Sequence, residues 1–238
     1  MTFAARVSLQ GDSEEEELTM ARLTLDISTS LDGFVAGPNQ TLEEPLGEGG
    51  ERLHEWAFRL ASWREPHGIE GGERDADDEV IAEAIRATGA VIMGRRMFSG
   101  GAGPWEDDPN ADGWWGDDPP FHVPVFVLTH HPRETVVKQG GTSFTFVTDG
   151  IETALEQARA AAGDQDIAIG GGASVAQQYL KAGLLDEFQI HVAPVLLGGG
   201  VRLFAGEATG PVELEATRTL ASPYVTHLRF RVVKGETP

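Results

Sequence analysis

The chain has 238 residues and sets 18 Lys+Arg against 38 Asp+Glu, a formal net charge of −20 on an ordinary apolar content of 40%. Such a charge repels polyanions, which excludes a phosphate-tracking nucleic-acid binder and disfavours an anionic membrane surface. There is no cysteine, no apolar run of the about 20 residues a bilayer span requires, and no basic-then-apolar signal segment at the start, so a cytoplasmic α/β protein is expected.

In chain order, residues 12–17 ("DSEEEE") carry five acids and read as part of a disordered leader over 1–20, with Met20 as an alternative start. Residues 22–28 ("RLTLDIS") alternate as a strand and run into the turn signal "SLDGFVAGPN". Leu53, Trp56, Ala57 and Leu60 fall at helical spacing within a predicted helix over 51–63. A second helix starts near Asp77 as N-cap, places Val80, Ile81, Ala84 and Ile85 on one face, and stops at Gly89 before the short strand 90–93. Strands follow at 124–129, 144–147, 166–170, 187–193 and 225–233, with helices at 151–162 and 174–182 closed by Gly163 and Gly183. Strands alternating with helices over short connections spell a mostly parallel sheet covered on both faces, in one domain over 21–234. Two acidic segments, about 43–79 and 100–118, are expected as surface insertions in it.

Two strand-to-helix turns are rich in glycine. One is "VIMGRRMFSGG", with Gly94, Arg95 and Arg96; the other is "IAIGGGASVAQQYL", with Gly170, Gly171, Gly172, Ala173 and Ser174. Turns of this kind aim backbone N–H groups and the positive end of a helix at one point, which suits a phosphate. A third cluster, "THHPR" at 129–133, closes another strand, where open α/β sheets place their ligands. Residues 170–175 lack G-x-G-x-x-G, so a dinucleotide would have to bind by another arrangement. The alternative chemistry is a hydrolase: "GASVA" nearly matches a nucleophile elbow at Ser174, and Asp186, His191 and His227 follow in hydrolase order. No histidine spacing points to a metal, and His54, His191 and His227 read as hydrogen-bonded structural residues.

The segments "SLDGFVAG" (30–37), "VIMGRRMF" (91–98), "VPVFVLTHHPR" (123–133) and "IGGGASVAQQYLKAGLLDEFQIHVAPVLLGGGVRLF" (169–204) resemble the dihydrofolate-reductase-like superfamily. Within it they are similar to the C-terminal reductase domain of the riboflavin-biosynthesis enzyme RibD. The resemblance implies a three-layer sandwich on a twisted, mostly parallel mixed sheet, an NADPH-dependent reductase of a small molecule, and a homodimer. Carried over by motif, Gly94, Arg95 and Arg96 would hold cofactor phosphates, and Thr129, His130 and Arg133 would surround the adenosine ribose and its 2′-phosphate. Gly170, Gly171, Gly172, Ala173 and Ser174 would take the pyrophosphate, and Val35, Ala36 and Gly37 would flank the nicotinamide. Asp32, or else Glu51 or Glu55, is the candidate catalytic residue. The family substrate is a ribosylated aminopyrimidine phosphate, 5-amino-6-(5-phosphoribosylamino)uracil. Dihydrofolate or another heteroaromatic or carbonyl compound, and NADP binding without turnover, stay open. Of the 38 acids, 23 fall in residues 12–17, 43–79 and 106–118, expected to lie away from the phosphate turns. Were they to cover the pocket, cofactor affinity would rise with salt.

Overall fold

The computed structural model describes residues 21–101, 103–204 and 211–234; the expected acidic leader, with Met20, lies outside them. Leu23, Leu25 and Ile27 alternate with Thr24, Asp26 and Ser28 along β1 (Leu23–Ser30), an interior strand of the sheet. On either side of it run β8 (Glu187–Ala193) and β7 (Asp166–Gly171), followed beyond β7 by β3 (Thr88–Gly94), β4 (Pro124–Leu128) and β6 (Ser143–Val147), all parallel. Antiparallel strands close both margins: β11 (Thr226–Val232) and β10 (Leu214–Ala221) beyond β8, and β5 (Val136–Val137) beyond β6. A separate ribbon pairs β2 (Phe34–Ala36) with β9 (Val201–Arg202).

Parallel strands need crossovers, and those crossovers supply the outer layers. One face is mainly apolar. There α5 (Ile151–Ala162) and α6 (Ala173–Lys181) bury Ala154, Leu155, Val175, Ala176 and Tyr179 against Leu23, Leu25, Ile92, Ile167 and Ile169. The opposite face is divided. Over β3, β4 and β6, the short α4 (Arg95–Ser99) and the chain that follows pack Phe98, Trp105, Trp115 and Phe121 on Val91, Met93, Val125, Val127 and Phe144. Over β1, β8 and β11 lie α1 (Glu55–Phe58), α2 (Ala61–Arg64) and α3 (Ala76–Ala87), with Trp56, Ala57 and Leu60 buried.

The sequence-predicted elements are recovered with four corrections. The helix expected over 51–63 is a 3-10 turn at Gly50–Leu53 followed by α1 and α2. Glu73 takes the backbone positions that would continue it: Glu73 N donates to Arg59 O and Ala61 N donates to Glu73 O, which leaves Leu60 extended. The N-cap of α3 is Asp75, whose carboxylate accepts from Asp77 N and Asp78 N. Gly89 is not a helix stop but lies inside β3, where a Cβ would sit 2.7 Å from Ala162 O at the end of α5. Finally, the acidic segments are not surface excursions. Leu53, Trp56, Leu60, Asp77 and Asp78 are buried in the first, and Trp105 and Trp115 pack into the core in the second.

Phe98 has no exposed surface, and its ring lies 5.0 Å from Phe144, 5.2 Å from Phe146 and 6.0 Å from Trp105. Phe98→Ala is expected to cost about 3–5 kcal/mol, read as a lower urea midpoint. A loss below about 1 kcal/mol would show that the acidic segment does not depend on this ring.

Candidate functional site

Because β7, β3 and β4 are parallel neighbours, the three glycine- or histidine-bearing turns at their carboxyl ends meet on one edge. Met93 stands opposite Gly171, and Gly94 opposite Leu128, one residue before Thr129. A Cβ on Gly94 would lie 3.9 Å from Gly171 O and Gly172 N, so the first two turns touch. Gly171 has φ 115°, a conformation side chains avoid, and the Gly171–Gly172 peptide is cis. Space around Gly172 is open: a Cβ there would meet nothing within 4 Å. Gly172 caps α6 without a side-chain partner, so Ala173 and the exposed Ser174 begin the helix with no side chain accepting from its first N–H groups.

Arg95 is 7% exposed and its guanidinium lies 3.5 Å from the centre of the Trp105 ring. Its Nη2 donates to Asp108 at 2.5 Å, while Nε and Nη1 are buried with no partner. Asp108 also accepts from Ser99 Oγ at 2.8 Å and Asn110 N at 2.9 Å. Burial opposes its ionisation, but these bonds and the Arg95 charge together hold its carboxyl below the usual range. Arg133 donates to Asp112 at 2.5 Å and to Ala111 O, and faces the other part of the same Trp105 ring. The acidic segment therefore does cover part of the edge, contrary to the expected separation of acids from phosphate turns. The reason is Trp105, whose Nε1 donates to His131 O at 2.9 Å and anchors the segment to the end of β4. Arg96 and His130 remain exposed, and Thr129 is buried with its hydroxyl accepting from His131 N.

Val35, Ala36 and Gly37 run through a narrow passage. A Cβ on Gly37 would meet Glu48 O at 2.0 Å, and one on Gly200 would meet Ala36 O at 2.1 Å. Asp32 does not face a cleft with a free carboxylate. It accepts from Gly198 N at 2.8 Å and Leu197 N at 3.1 Å, which ties the turn after β1 to the loop before β9. Hydrogen bonds from Ser30 and from these amides hold its pKa at about 2. Glu51 and Glu55 are exposed on the outer side of their helical turns. The hydrolase arrangement is not assembled: Ser174 begins α6 on the apolar face, whereas His191 and His227 lie on the other side of the sheet.

Sequence reasoning missed what those histidines do. His191 of β8 stands opposite Ser28 of β1 and His227 of β11, and the two Nδ1 atoms are 2.5 Å apart. His191 Nε2 meets Asp26, and His227 Nε2 lies 3.2 Å from Asp77. Trp56 covers both rings at 4.8 and 5.1 Å and donates to Ser28 Oγ. The available signal was Asp26 itself, an acid in the middle of a strand buried on both faces.

With this geometry in view, the family model described as the RibD C-terminal domain matches residues 21–228. The chain belongs to the RibD C-terminal domain family. A relative in Bacillus subtilis (strain 168), the uncharacterized protein YyaP, is 23% identical over 197 residues, 79% of this chain and 82% of that one. Among solved structures, a protein of Shewanella sp. PV-4 described provisionally as a riboflavin-biosynthesis protein superposes with a TM-score of 0.58. It is 22% identical, over 90% of this chain and 99% of that one. The dihydrofolate reductase of Enterococcus faecalis, solved with NADP(H) and RAB-propyl, gives a TM-score of 0.51 at 12% identity, over 90% and 98%. The fold is thus that of the dihydrofolate-reductase-like sandwich, as the sequence motifs imply. In this RibD-type chain, the Trp105–Asp112 stretch is the part that reaches back onto the glycine edge.

Asp32→Asn should lower thermal stability at neutral pH. Because the folded carboxyl titrates near 2, below its ordinary value of 3.8, the Asp32 contribution is complete above about pH 4 and fades as pH falls toward 2. Melting temperatures of the two proteins should therefore converge on acidification; a constant gap down to pH 2 would show that the charge is irrelevant.

Proposed function

We propose that the protein is an NADPH-dependent reductase acting on a small molecule, a cytoplasmic homodimer, with a ribosylated aminopyrimidine phosphate of the riboflavin pathway as substrate. The observation that supports this best is the convergence of the Gly94, Thr129 and Gly170–Gly172 turns on one edge of a parallel sheet. The residues fit a dinucleotide on two counts. The turn at Gly172 opens onto free space beside an uncapped helix start, and Arg95 keeps two buried N–H-bearing nitrogens without a partner. Gly170, Gly171, Gly172, Ala173 and Ser174 would hold the pyrophosphate. Arg95, Arg96, Thr129, His130 and Arg133 would hold the adenosine side with its 2′-phosphate, and Val35, Ala36 and Gly37 the nicotinamide.

The bound cofactor supplies a hydride; the chain orients its ring, excludes water and provides a proton. None of Asp32, Glu51 and Glu55 supports the last task as placed. Asp32 is committed to the amides of Leu197 and Gly198, so its role is to hold the loop that borders Ala36 and Gly37. The Asp108 and Asp112 carboxylates sit where they compete with an incoming phosphate for Arg95 and Arg133. A buried charge pair contributes little net stability, so such a contact acts on ligand choice more than on folding.

NADPH binding is tested by fluorescence titration. Absence of micromolar binding would end the reading; oxidation of NADPH with the ribosylaminopyrimidine phosphate rather than dihydrofolate would support the substrate. Asp108→Asn should tighten NADPH about tenfold, equivalent to about 1.4 kcal/mol, with NADH almost unchanged. Wild-type NADPH affinity should rise with salt as the acid field is screened. Equal effects on both cofactors would show that Asp108 does not compete with the 2′-phosphate.

A further inference from the structure

Hydride transfer to a C=O or C=N bond needs a proton for the heteroatom, and the sequence-predicted acids do not supply it. A polar row spanning β1, β8, β11 and α3 lies on the same face of the sheet. Its four members form one linear series: Asp26 Oδ1, His191 Nε2, His191 Nδ1, His227 Nδ1, His227 Nε2, Asp77 Oδ1. His191, His227 and Asp77 are 2%, 1% and 1% exposed, whereas the Asp26 side chain is 35% exposed, so the series is sealed at one end and open at the other.

The donor inventory fixes how many protons it holds. Two imidazole nitrogens 2.5 Å apart cannot both present lone pairs, so one proton lies between them. Each Nε2 faces a carboxylate oxygen, and each of those contacts also takes one proton. Three contacts therefore hold three protons, one more than two neutral histidines and two carboxylates possess. Burial and the His191 charge both depress His227, and burial with the His191 charge pushes His54 down to about 4. Asp77 is already ion-paired with Arg59 at 2.5 Å, so the extra proton belongs to the His191–Asp26 end of the series. There the pull of His191 and the hydrogen bonds from His191 and Gln189 outweigh burial and lower the Asp26 pKa.

The open end points to the proposed cofactor edge. Leu25 pairs with Ile169, and both face the apolar layer, so Asp26 and Gly170 come next on the other face, side by side. A Cβ on Gly170 would stand 3.0 Å from Val91 Cγ1; its absence leaves the floor beside Asp26 clear as far as β3.

We propose that Asp26, His191, His227 and Asp77 form a proton-donating chain, with Asp26 as the catalytic residue that protonates the substrate heteroatom. This rests on the reductase reading. In the step, the nicotinamide C–H bond breaks and its electron pair forms a C–H bond at the substrate carbon, oxidising the cofactor. The π electrons of C=O or C=N move to the heteroatom, which takes a proton from the Asp26 carboxyl group. Asp26 receives that proton from His191 Nε2; His191 then becomes a neutral imidazole whose Nδ1–H still donates to His227. Solvent restores the proton through Asp26. His191 and His227 are positioning residues that store charge. The other charged groups facing the chain, Arg59 on Asp77 at 2.5 Å and the Arg229–Glu83 pair at 2.7 Å beside Gln189, are ion-paired and keep their charge as the histidines titrate.

The test has two arms. In cofactor-free wild-type protein, nitrogen-15 NMR of the histidine rings should show one far-downfield proton shared by two Nδ1 atoms, with His191 and His227 titrating as a pair. Independent titration near 6.5 would overturn the chain. In kinetics, Asp26→Asn should lower kcat about 10²–10⁴-fold with NADPH affinity unchanged, and His227→Gln should move the pH profile of kcat more than its maximum. Undiminished turnover in Asp26→Asn would overturn its catalytic role alone. NADPH binding without turnover across a broad panel of heteroaromatic and carbonyl substrates would overturn the reductase reading, and the role of Asp26 with it.

Discussion

A parallel sheet covered on both faces tolerates polar side chains only where partners are built for them, and this constraint shapes the whole molecule. On the face under α5 and α6 the strands carry mainly apolar residues, Phe126 and Phe188 among them, so that layer is simply packed. On the other face the covering splits. Aromatic rings sit over β3, β4 and β6, and a hydrogen-bonded polar row sits over β1, β8 and β11. Between the two lies β7, whose Gly170 leaves no side chain on the floor. The two halves of this face are thus filled differently, and they meet at Gly170.

The charge of the chain acquires a different meaning once the acids are placed. Net −20 describes the long-range field, yet several acids of the segments around 43–79 and 100–118 are internal partners of arginine. Arg59 alone meets Glu73, Asp75 and Asp77, and Asp75 at the same time caps α3. These carboxylates position helices whose inner residues, Trp56 and Asp77, complete the histidine row. Removing an acid there would disturb the histidine row through the helix that carries it.

Much of this was legible in the sequence because the signals are local. The strands at 187–193 and 166–170 and the helix at 151–162 follow from period and glycine stops, and they are observed at those residues or within one. The glycine turns were recognisable because a backbone that takes φ 115° at Gly171 and brings Gly94 against Gly171 and Gly172 calls for glycine. The missed features are those decided at long range. The 51–63 helix breaks because Glu73 claims its backbone, and β10 hides because most of its residues are exposed and carry no apolar alternation. Asp26 and His191 are separated by 165 positions, and His191 and His227 by 36, so only the sheet register reveals that they meet.

The glycine edge and the histidine row are held in the same way. At the glycine edge, Arg95 is paired with Asp108; at the histidine row, His191 Nε2 hydrogen-bonds with Asp26. The buried Arg95 guanidinium is thereby spared the cost of an isolated charge. On the proposed reading, a ligand would exchange with a carboxylate already in place. That exchange would favour groups that match the resident partner better than the acid does: a phosphate for the guanidinium, and a heteroatom gaining negative charge as proton acceptor beside Asp26. What such contacts would then contribute is discrimination between ligands, because a buried pair adds little to stability but must be broken or shifted before anything else can bind.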